Sequence, residues 1–510
     1  MHENAPAFMN ATKKNLAANT ISNGWMLLVS IVSVPFCLHF LGAEGFGLVV
    51  FLAAVQAVFS PLDLGLSMAL NRELARLSGQ EDSAAQMRNL LRTLELPYWL
   101  VAGAIALVVV AAGPMFVQLW VTPKALSAQD ISQATVLMGL ALGLQWCSVL
   151  YQAGLTGLQK QVSQGVLNIV LWAMRYLGVI PVLWHWPTVQ AYFIWNAIVS
   201  GLHTAALGLW LWKVLPPAPH RAVFQWPLLK SIRYFAAGNT GIQLSSTALS
   251  QLDKIVVGRL LSLEWMGYYG LASQACVGLL RLVYSLQPTF FPRYTQLIAD
   301  NRWEDLTSLY HRSCQLMAVV TFSIMAVVVL FSHEIILLWT GQAAVADHAW
   351  LIMSLLIVGT ALSSLTMLPS SLQLAYGWTK LSAAANFISL VVLVPAMIVL
   401  ARRYGAVGAA AAWIIPYAVQ VFVFIPLMHR RLLPGELWRW YLRDNAAPLL
   451  AAAVAATALR LLAPSNGSPA VLLVGVLAAG GAALLASSLA TPVTRAWLAG
   501  ILNVARASRP

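Results

Sequence analysis

Charged residues are scarce in this 510-residue chain, and their scarcity excludes an ordinary soluble domain. Asp, Glu, Lys and Arg make up 9% of the sequence, against roughly 25% in soluble proteins, whereas hydrophobic residues make up 60%. Common enzyme motifs are missing as well, since there is no P-loop, no HExxH and no paired carboxylate in an accessible motif. We therefore predict that the chain is not an enzyme, requires no cofactor and does not by itself form an ATP-driven pump.

Cysteine is also rare. The four cysteines lie in or beside apolar segments, without a CxxC pair and without the spacing of a metal site. We interpret them as small core residues. They are Cys37, Cys147, Cys276 and Cys314.

Long apolar segments dominate what is present. A membrane-spanning helix needs about 20 mostly apolar residues. The segments that qualify are 19–41, 46–70, 96–120, 130–156, 163–184, 188–212, 234–261, 265–292, 314–340, 347–375, 381–401, 406–428, 447–463 and 469–489. We predict an all-α polytopic membrane protein with about fourteen transmembrane helices. Residues 1–18 are mostly polar and lack the pattern of a cleavable signal peptide, so we expect the first segment to remain as a span.

The distribution of basic residues predicts the orientation of the chain. Of the 30 Lys and Arg, 22 fall in inner segments when the N-terminus is placed inside, five fall in outer segments and three lie within spans. This is the positive-inside bias of a multi-pass protein, and it predicts that both termini are cytoplasmic. The basic loops then need anionic lipid headgroups as partners rather than nucleic acid.

Three short motifs recur after 219 or 220 residues. FLGAEGFGL at 40–48 returns as LLSLEWMGY at 260–268, FVQLWV at 116–121 as IILLWT at 335–340, and LTGLQK at 155–160 as AYGWTK at 375–380. We predict two six-helix lobes in parallel repeat, an arrangement typical of transporters. The predicted domains are an N-lobe at 1–212, a linker at 213–233 with a short helix from Trp226 to Lys230, a C-lobe at 234–428, and two extra spans with a tail at 429–510.

A few ionisable residues lie inside the predicted spans, where a charge at the helix centre costs roughly 2.5–3.5 kcal/mol. The candidate substrate-binding residues are Asp63, Arg175, Asp253, Lys254 and Arg281, with Arg259 and His39 nearer the outer end. Three interior bases against two acids predict a positive interior, and arginine binds phosphate oxygens in bidentate fashion. Asp63 and Arg281 have similar depths in equivalent spans, so we expect them to face each other. The alternative is that these charges pair within each lobe and only orient helices.

Two segments resemble motifs of bacterial polysaccharide exporters. PLDLGLSMALNREL at 61–74 looks like the end of their second span, and QLDKIVVGRLLSLEWMGYYGLASQ at 251–274 looks like the turn between their seventh and eighth spans. With the 6+6+2 layout, the chain resembles the Wzx-type O-antigen/polysaccharide flippases of the multidrug/oligosaccharidyl-lipid/polysaccharide exporter superfamily. The residues that carry over from these motifs are Asp63, Asp253, Lys254, Arg259, Glu264 and Gly267, whereas Arg175 and Arg281 rest on the charge argument alone.

The resemblance implies that the protein moves an isoprenoid-diphosphate-linked oligosaccharide between the leaflets of the bacterial inner membrane, from cytoplasm to periplasm, for surface polysaccharide such as the O-antigen of lipopolysaccharide. It implies lobes that alternate access around a cationic central cavity, with polysaccharide polymerase machinery as a further partner. In this hypothesis Arg281, Lys254 and Arg175 bind the diphosphate.

Two alternatives remain at this point. One is a cation-coupled multidrug exporter of the same superfamily, although the first span lacks an acid and three interior bases would repel cationic drugs. The other is a membrane-embedded glycosyltransferase or polymerase, although the outer loops are too short for the large periplasmic loop that usually carries its catalytic residues.

Overall fold

A computed structural model of the protein describes residues 5–63, 65–80, 83–120, 126–230, 256–462 and 467–496. Within these ranges every regular element is a helix, and ten helices are long and apolar enough to cross a membrane. The chain divides into two compact units, Met1–Gly267 and Tyr268–Pro510. The prediction of an all-α polytopic membrane protein is confirmed.

The described helices follow one another with short connections. In the first unit they are α1 (Ala5–Phe59), α2 (Leu66–Leu77), α3 (Ala84–Trp120), α4 (Ala128–Gly157), α5 (Gln161–Tyr176), α6 (Val179–His185) and α7 (Val189–Val214), and α8 (Leu263–Ala299) begins in this unit and continues into the next. In the second unit they are α9 (Trp303–Thr340), α10 (Ala343–Ala375), α11 (Thr379–Ala412), α12 (Ile414–Val419), α13 (Ile425–Leu432), α14 (Leu437–Arg439), α15 (Ala447–Leu462) and α16 (Pro469–Ala490). Short π-helical turns at Gln420–Phe424 and Trp440–Ala446 join α12 to α13 and α14 to α15.

Helix α1 contains the first two predicted spans. Its apolar stretch Ile21–Ala57 has 37 residues, about 55 Å at 1.5 Å per residue, which exceeds the roughly 30 Å of a bilayer core. Gly42 interrupts it with φ 69° and ψ 174°, a conformation that is essentially restricted to glycine. The interruption falls between the predicted segments 19–41 and 46–70, so one long helix accounts for two spans.

The second predicted span ends earlier than expected. The segment 46–70 is helical only to Phe59, where a 3₁₀ turn at Ser60–Asp63 begins, and the chain restarts as α2 at Leu66. Pro61 has no backbone N–H, and Gly65 adopts φ 74°, so both residues favour a break there. The prediction of one continuous helix over 46–70 is therefore wrong at its inner end.

Most of the remaining predicted spans coincide with single described helices. The exceptions are 163–184, which is divided between α5 and α6, 406–428, which extends from the end of α11 through α12 into α13, and 234–261, most of which lies outside the described residues. Residues 226–230 are helical, as predicted, and the residues that follow lie outside the described ranges. The predicted bounds of the lobes and linker stay predictions, since the described ranges omit 231–255, where the second lobe would begin. All four cysteines are unpaired and buried, as expected of core residues.

The segment after α7 is tied to α3. Arg88 Nε donates to the Pro216 carbonyl oxygen at 2.6 Å, and Arg88 Nη2 donates to that of Leu215 at 3.1 Å. Farther on, the backbone N–H of Val223 donates to Asn89 Oδ1 at 2.9 Å. These bonds satisfy backbone groups of a proline-containing segment that has no helix of its own.

The two copies of the first repeated motif contact each other reciprocally. A methyl group built on Gly47 would lie 1.8 Å from the carbonyl oxygen of Leu263, and one built on Gly267 would lie 2.2 Å from that of Ala43. Gly47 and Gly267 are 220 positions apart, as are Ala43 and Leu263. Only glycine allows the second half of α1 and the start of α8 to approach this closely.

The two C-terminal helices pack against one partner. Helices α15 and α16 contact each other, and both contact α9. This pair, which the sequence predicts to have no counterpart in the repeat, is therefore attached to α9.

Candidate functional site

The break between α1 and α2 places Asp63 beside a cavity of the first unit. Its carboxylate accepts hydrogen bonds from the backbone N–H of Ser67 at 3.1 Å, from the Ser67 hydroxyl at 2.8 Å and from the Tyr98 hydroxyl. All three donors are neutral groups, and Tyr98 is 2% exposed. Local turn chemistry and α3 thus fix the carboxylate, and none of these described contacts is cationic.

This first cavity has a volume of 290 Å³ and a mixed polar and aromatic lining. Besides Asp63, Ser67 and Tyr98, the residues that matter below are Gln56, Gln145, Trp146, Trp172 and His203. Trp146 stacks on Tyr98 with 5.9 Å between ring centres, and Trp146 Nε1 has no hydrogen-bond partner among the described residues. Buried polar groups are normally paired, so this N–H is available to a ligand.

Arg175 at the end of α5 is buried, with 7% of its surface exposed. Its Nη1 donates to Gln145 Oε1 at 2.8 Å, and its Nη2 donates to Ser200 Oγ at 2.8 Å. Its guanidinium carbon lies 5.5 Å from the centre of the Trp172 ring. Within the described part of the chain, Arg175 Nε has no hydrogen-bond partner. A buried cation whose described hydrogen-bond partners are neutral is costly, and its unused donor suits an anionic ligand.

Arg175 lines a second cavity of 130 Å³, together with Tyr192, Asn196 and Ser200 of α7. The two cavities share Gln56 of α1 and Gln145 of α4. The carboxylate of Asp63 and the guanidinium of Arg175 therefore belong to one polar interior, which we call the N-unit cavity and define by the residues of both linings.

The aromatic rings of Trp172 and Tyr176 and the imidazole of His203 connect the two parts of the N-unit cavity. Trp172 packs edge-on against His203, with 5.4 Å between ring centres, and it stacks on Tyr176 at 6.1 Å. His203 Nε2 lies 3.1 Å from Asn168 Oδ1. The aromatic faces are apolar surfaces beside polar groups, the combination found in small-molecule sites.

The other predicted site residues lie elsewhere. His39 is exposed on α1 and makes an edge contact with Phe40 at 5.1 Å, outside the N-unit cavity. Arg259 is exposed shortly before α8 and lines neither cavity.

Arg281 is half-buried on α8, in the second unit. Asp253 and Lys254 lie outside the described residues. The expectation that Asp63 and Arg281 face each other stays a prediction, because these two residues belong to different units.

Sequence reasoning missed several residues of the N-unit cavity. Gln145 and His203 are polar residues in the interior of apolar helices, the same signal that pointed to Arg175. Trp172 and Tyr98 were not identified from the sequence, because aromatic residues of transmembrane helices are commonly anchors at the membrane–water interface. In the described ranges, no group of three or more His, Cys, Asp and Glu could hold a metal ion.

The arrangement can bind a ligand but offers no reactive constellation in the described residues. Unused donors from Arg175 and Trp146 could receive anionic or carbonyl oxygens. Glutamine, asparagine and serine side chains provide groups of the kind that pair with hydroxyls.

Most of the chain is similar in structure to membrane transporters of known fold. The structure has a TM-score of 0.66 with an inward-facing multidrug resistance MATE family transporter of the MOP superfamily, at 13% identity over 81% of this chain and 96% of that one. It has a TM-score of 0.64 with the lipid II flippase MurJ in an inward closed conformation, at 13% identity over 93% of this chain and 98% of that one. At this identity the likeness shows the fold.

Sequence comparison is more specific. A Shigella flexneri protein named as an O-antigen transporter is 21% identical over 425 residues, which cover 78% of this chain and 93% of that protein. The MatE family matches residues 241–399, and the family described as polysaccharide biosynthesis protein matches residues 12–298, more than half of the chain. The resemblance seen in the motifs is therefore confirmed, and the chain belongs to the polysaccharide biosynthesis protein family, with the Wzx-type transporters of the MOP superfamily.

Proposed function

We propose that this protein is a flippase that moves an isoprenoid-diphosphate-linked oligosaccharide from the cytoplasmic to the periplasmic leaflet of the bacterial inner membrane. It would supply surface polysaccharide synthesis, deliver its product to polymerase machinery, and have both termini in the cytoplasm. The family match and the relative named for O-antigen transport support the substrate class.

The observation that carries the proposal is Arg175. The guanidinium is buried, its two bonded partners are neutral and its Nε is unused in the described part of the chain. A positive charge in a low-dielectric wall attracts an anion more strongly than the same charge in water. Arginine also matches the oxygens of a phosphate group in geometry.

The remainder of the N-unit cavity would suit the polar part of such a substrate. Gln56, Gln145 and Asn196 offer amide groups to sugar hydroxyls, and Trp172 offers an aromatic face. Asp63 would accept a hydrogen bond from a sugar hydroxyl. Lys254, Arg281, Arg259, Asp253 and His39 remain the further residues that we propose to contact substrate, and transport by alternating access remains part of the hypothesis.

Complementation of a strain that lacks this protein tests the proposal. Lipid extracts are analysed by mass spectrometry for undecaprenyl-diphosphate-linked oligosaccharide, and surface polymer is quantified in parallel. We expect the deletion to accumulate short lipid-linked units and lose surface polymer, and wild type to reverse both. Arg175→Gln should lower transport at least tenfold, because truncating a buried hydrogen-bonded charge costs about 2–5 kcal/mol.

Two further variants make the result specific. Arg175→Lys keeps the charge but cannot form the two-pronged contact, so we expect only partial rescue. Arg221→Gln removes an exposed arginine outside the N-unit cavity and should complement fully. Full complementation by well-expressed, monodisperse Arg175→Gln would contradict the assignment. Unchanged lipid intermediates with new drug sensitivity in the deletion strain would favour the multidrug-exporter alternative.

A further inference from the structure

A third polar cavity, separate from the two that form the N-unit cavity, lies in the second unit. It has a volume of 370 Å³ and is lined by residues of α9, of α14 and the π-helical turn after it, and of the segment that follows α16. We call it the arginine pocket and define it by His311, Arg312, Gln315, Arg439, Arg443 and Val493. The positive-inside pattern predicts that this end of the unit is cytoplasmic.

Three chain segments close the pocket through one glutamine. Gln315 Nε2 donates to Asp444 Oδ1 at 2.8 Å, and the backbone N–H of Val493 donates to Gln315 Oε1 at 3.4 Å. The π-helical turn Trp440–Ala446 begins next to Arg439 and includes Arg443. Turns of this type are rare, and they occur frequently at functional sites.

The floor of the pocket contains a buried imidazole. His311 is 1% exposed, its Nδ1 contacts Asp444 Oδ2, and its Nε2 lies 2.9 Å from Glu436 Oε2. That second contact lacks hydrogen-bond geometry, so Nε2 is a buried polar atom without a hydrogen-bond partner among the described residues. The imidazole therefore lies between two carboxylates in the wall of the pocket, and these contacts fix its position.

The charges of the pocket do not balance. Its lining contains three arginines, Arg312, Arg439 and Arg443, and the neighbouring carboxylates are Glu436 and Asp444, which leaves one positive charge before the imidazole is counted. Arg439 is paired with Glu436 at 3.3 Å. Arg312 and Arg443 are exposed, and neither forms an ion pair with a described carboxylate. The excess positive charge is therefore carried by Arg312 and Arg443, and one phosphate group could bridge their two guanidinium groups.

The surroundings indicate where that phosphate comes from. Trp438 and Leu442, each directly before one of the arginines, are 70% and 61% exposed. Exposed tryptophan beside basic residues is typical of the membrane–water interface, and basic pockets between transmembrane helices on the cytoplasmic side bind anionic headgroups. We propose that the arginine pocket binds the phosphate group of an anionic membrane lipid. The lipid holds the π-helical turn before α15 and the segment after α16 against α9, because the pocket is lined by these three segments.

Native mass spectrometry of the purified full-length protein tests this. The protein is titrated with phosphatidylglycerol or with phosphatidylcholine of the same acyl chains, and inorganic phosphate is added as competitor. We expect phosphatidylglycerol to bind at least tenfold more tightly. Arg312→Gln/Arg443→Gln should weaken its binding roughly 25-fold, about fivefold per arginine.

A matched control separates a site from general attraction. Arg402→Gln/Arg403→Gln removes the same charge from two exposed arginines of the same unit, outside the pocket, and should change the affinity less than twofold. If the pocket double variant is not monodisperse, Arg312→Gln alone should lower affinity about fivefold. Equal losses in both double variants, or no loss in either, would overturn the proposal. Full displacement of lipid by millimolar inorganic phosphate would assign the pocket to a soluble phosphate instead and would equally overturn it.

Discussion

One ion pair connects α9 to the C-terminal helix α15, and its energetics can be predicted. Arg460 Nη1 lies 2.6 Å from Glu334 Oε1, and the guanidinium carbon lies 5.2 Å from the ring centre of Phe331. The side chain of Glu334 is 7% exposed and that of Arg460 is 34% exposed. We expect Arg460→Met to lower the free energy of unfolding by about 3 kcal/mol, because removing one partner of a buried pair costs roughly 3–5 kcal/mol and Arg460 is partly solvated.

The cost should come from the carboxylate that is left behind. Glu334 Oε2 already lacks a hydrogen-bond partner in the described part of the chain, so Arg460→Met leaves a buried charge with no compensation. Adding Glu334→Gln removes that charge. The double variant should therefore be destabilised by about 2 kcal/mol less than the sum of the single variants.

Reversible unfolding in detergent micelles, followed by tryptophan fluorescence over a denaturant titration, measures these free energies. The pair Arg302–Asp305 is a control, since it has the same 2.6 Å separation in the same unit but side chains 54% and 53% exposed. Arg302→Met should cost at most about 1 kcal/mol. A cost for Arg460→Met no larger than this, or an additive double variant, would refute the reasoning that burial makes this ion pair important.

Two further predictions concern the first unit. Gly47→Ala places a methyl group 1.8 Å from the carbonyl oxygen of Leu263. We expect the free energy of unfolding to fall by about 1–3 kcal/mol or more, and the monodisperse peak in size-exclusion chromatography to be smaller. Gly24→Ala, which meets nothing within 4 Å, is the control and should leave the peak unchanged. Tyr98→Phe removes a neutral donor to Asp63 and should lower the free energy of unfolding by about 1–3 kcal/mol, as measured by the same denaturant titration; an unchanged unfolding curve would show that the carboxylate does not depend on that hydroxyl.

Hydropathy along the sequence was sufficient to predict the membrane class and nearly every described helix. A helix in lipid must satisfy its backbone hydrogen bonds within itself, so the length and composition of one segment decide whether it spans. The break after Phe59 was missed because the apolar run continues through Pro61 and Gly65. Pro61 and Gly65 change the backbone conformation, and hydropathy averaged over a segment carries no information about backbone conformation.

The sequence by itself identified Asp63 and Arg175 as ionisable residues within apolar segments. Only the tertiary structure decided what surrounds them. Arg175 is held by Gln145 of α4 and Ser200 of α7, which are 30 and 25 positions away in the chain. The rotation and packing of three helices set that environment. The sequence shows how many charged residues the interior of the protein must contain. Which side chains become their partners depends on which faces of the helices pack together.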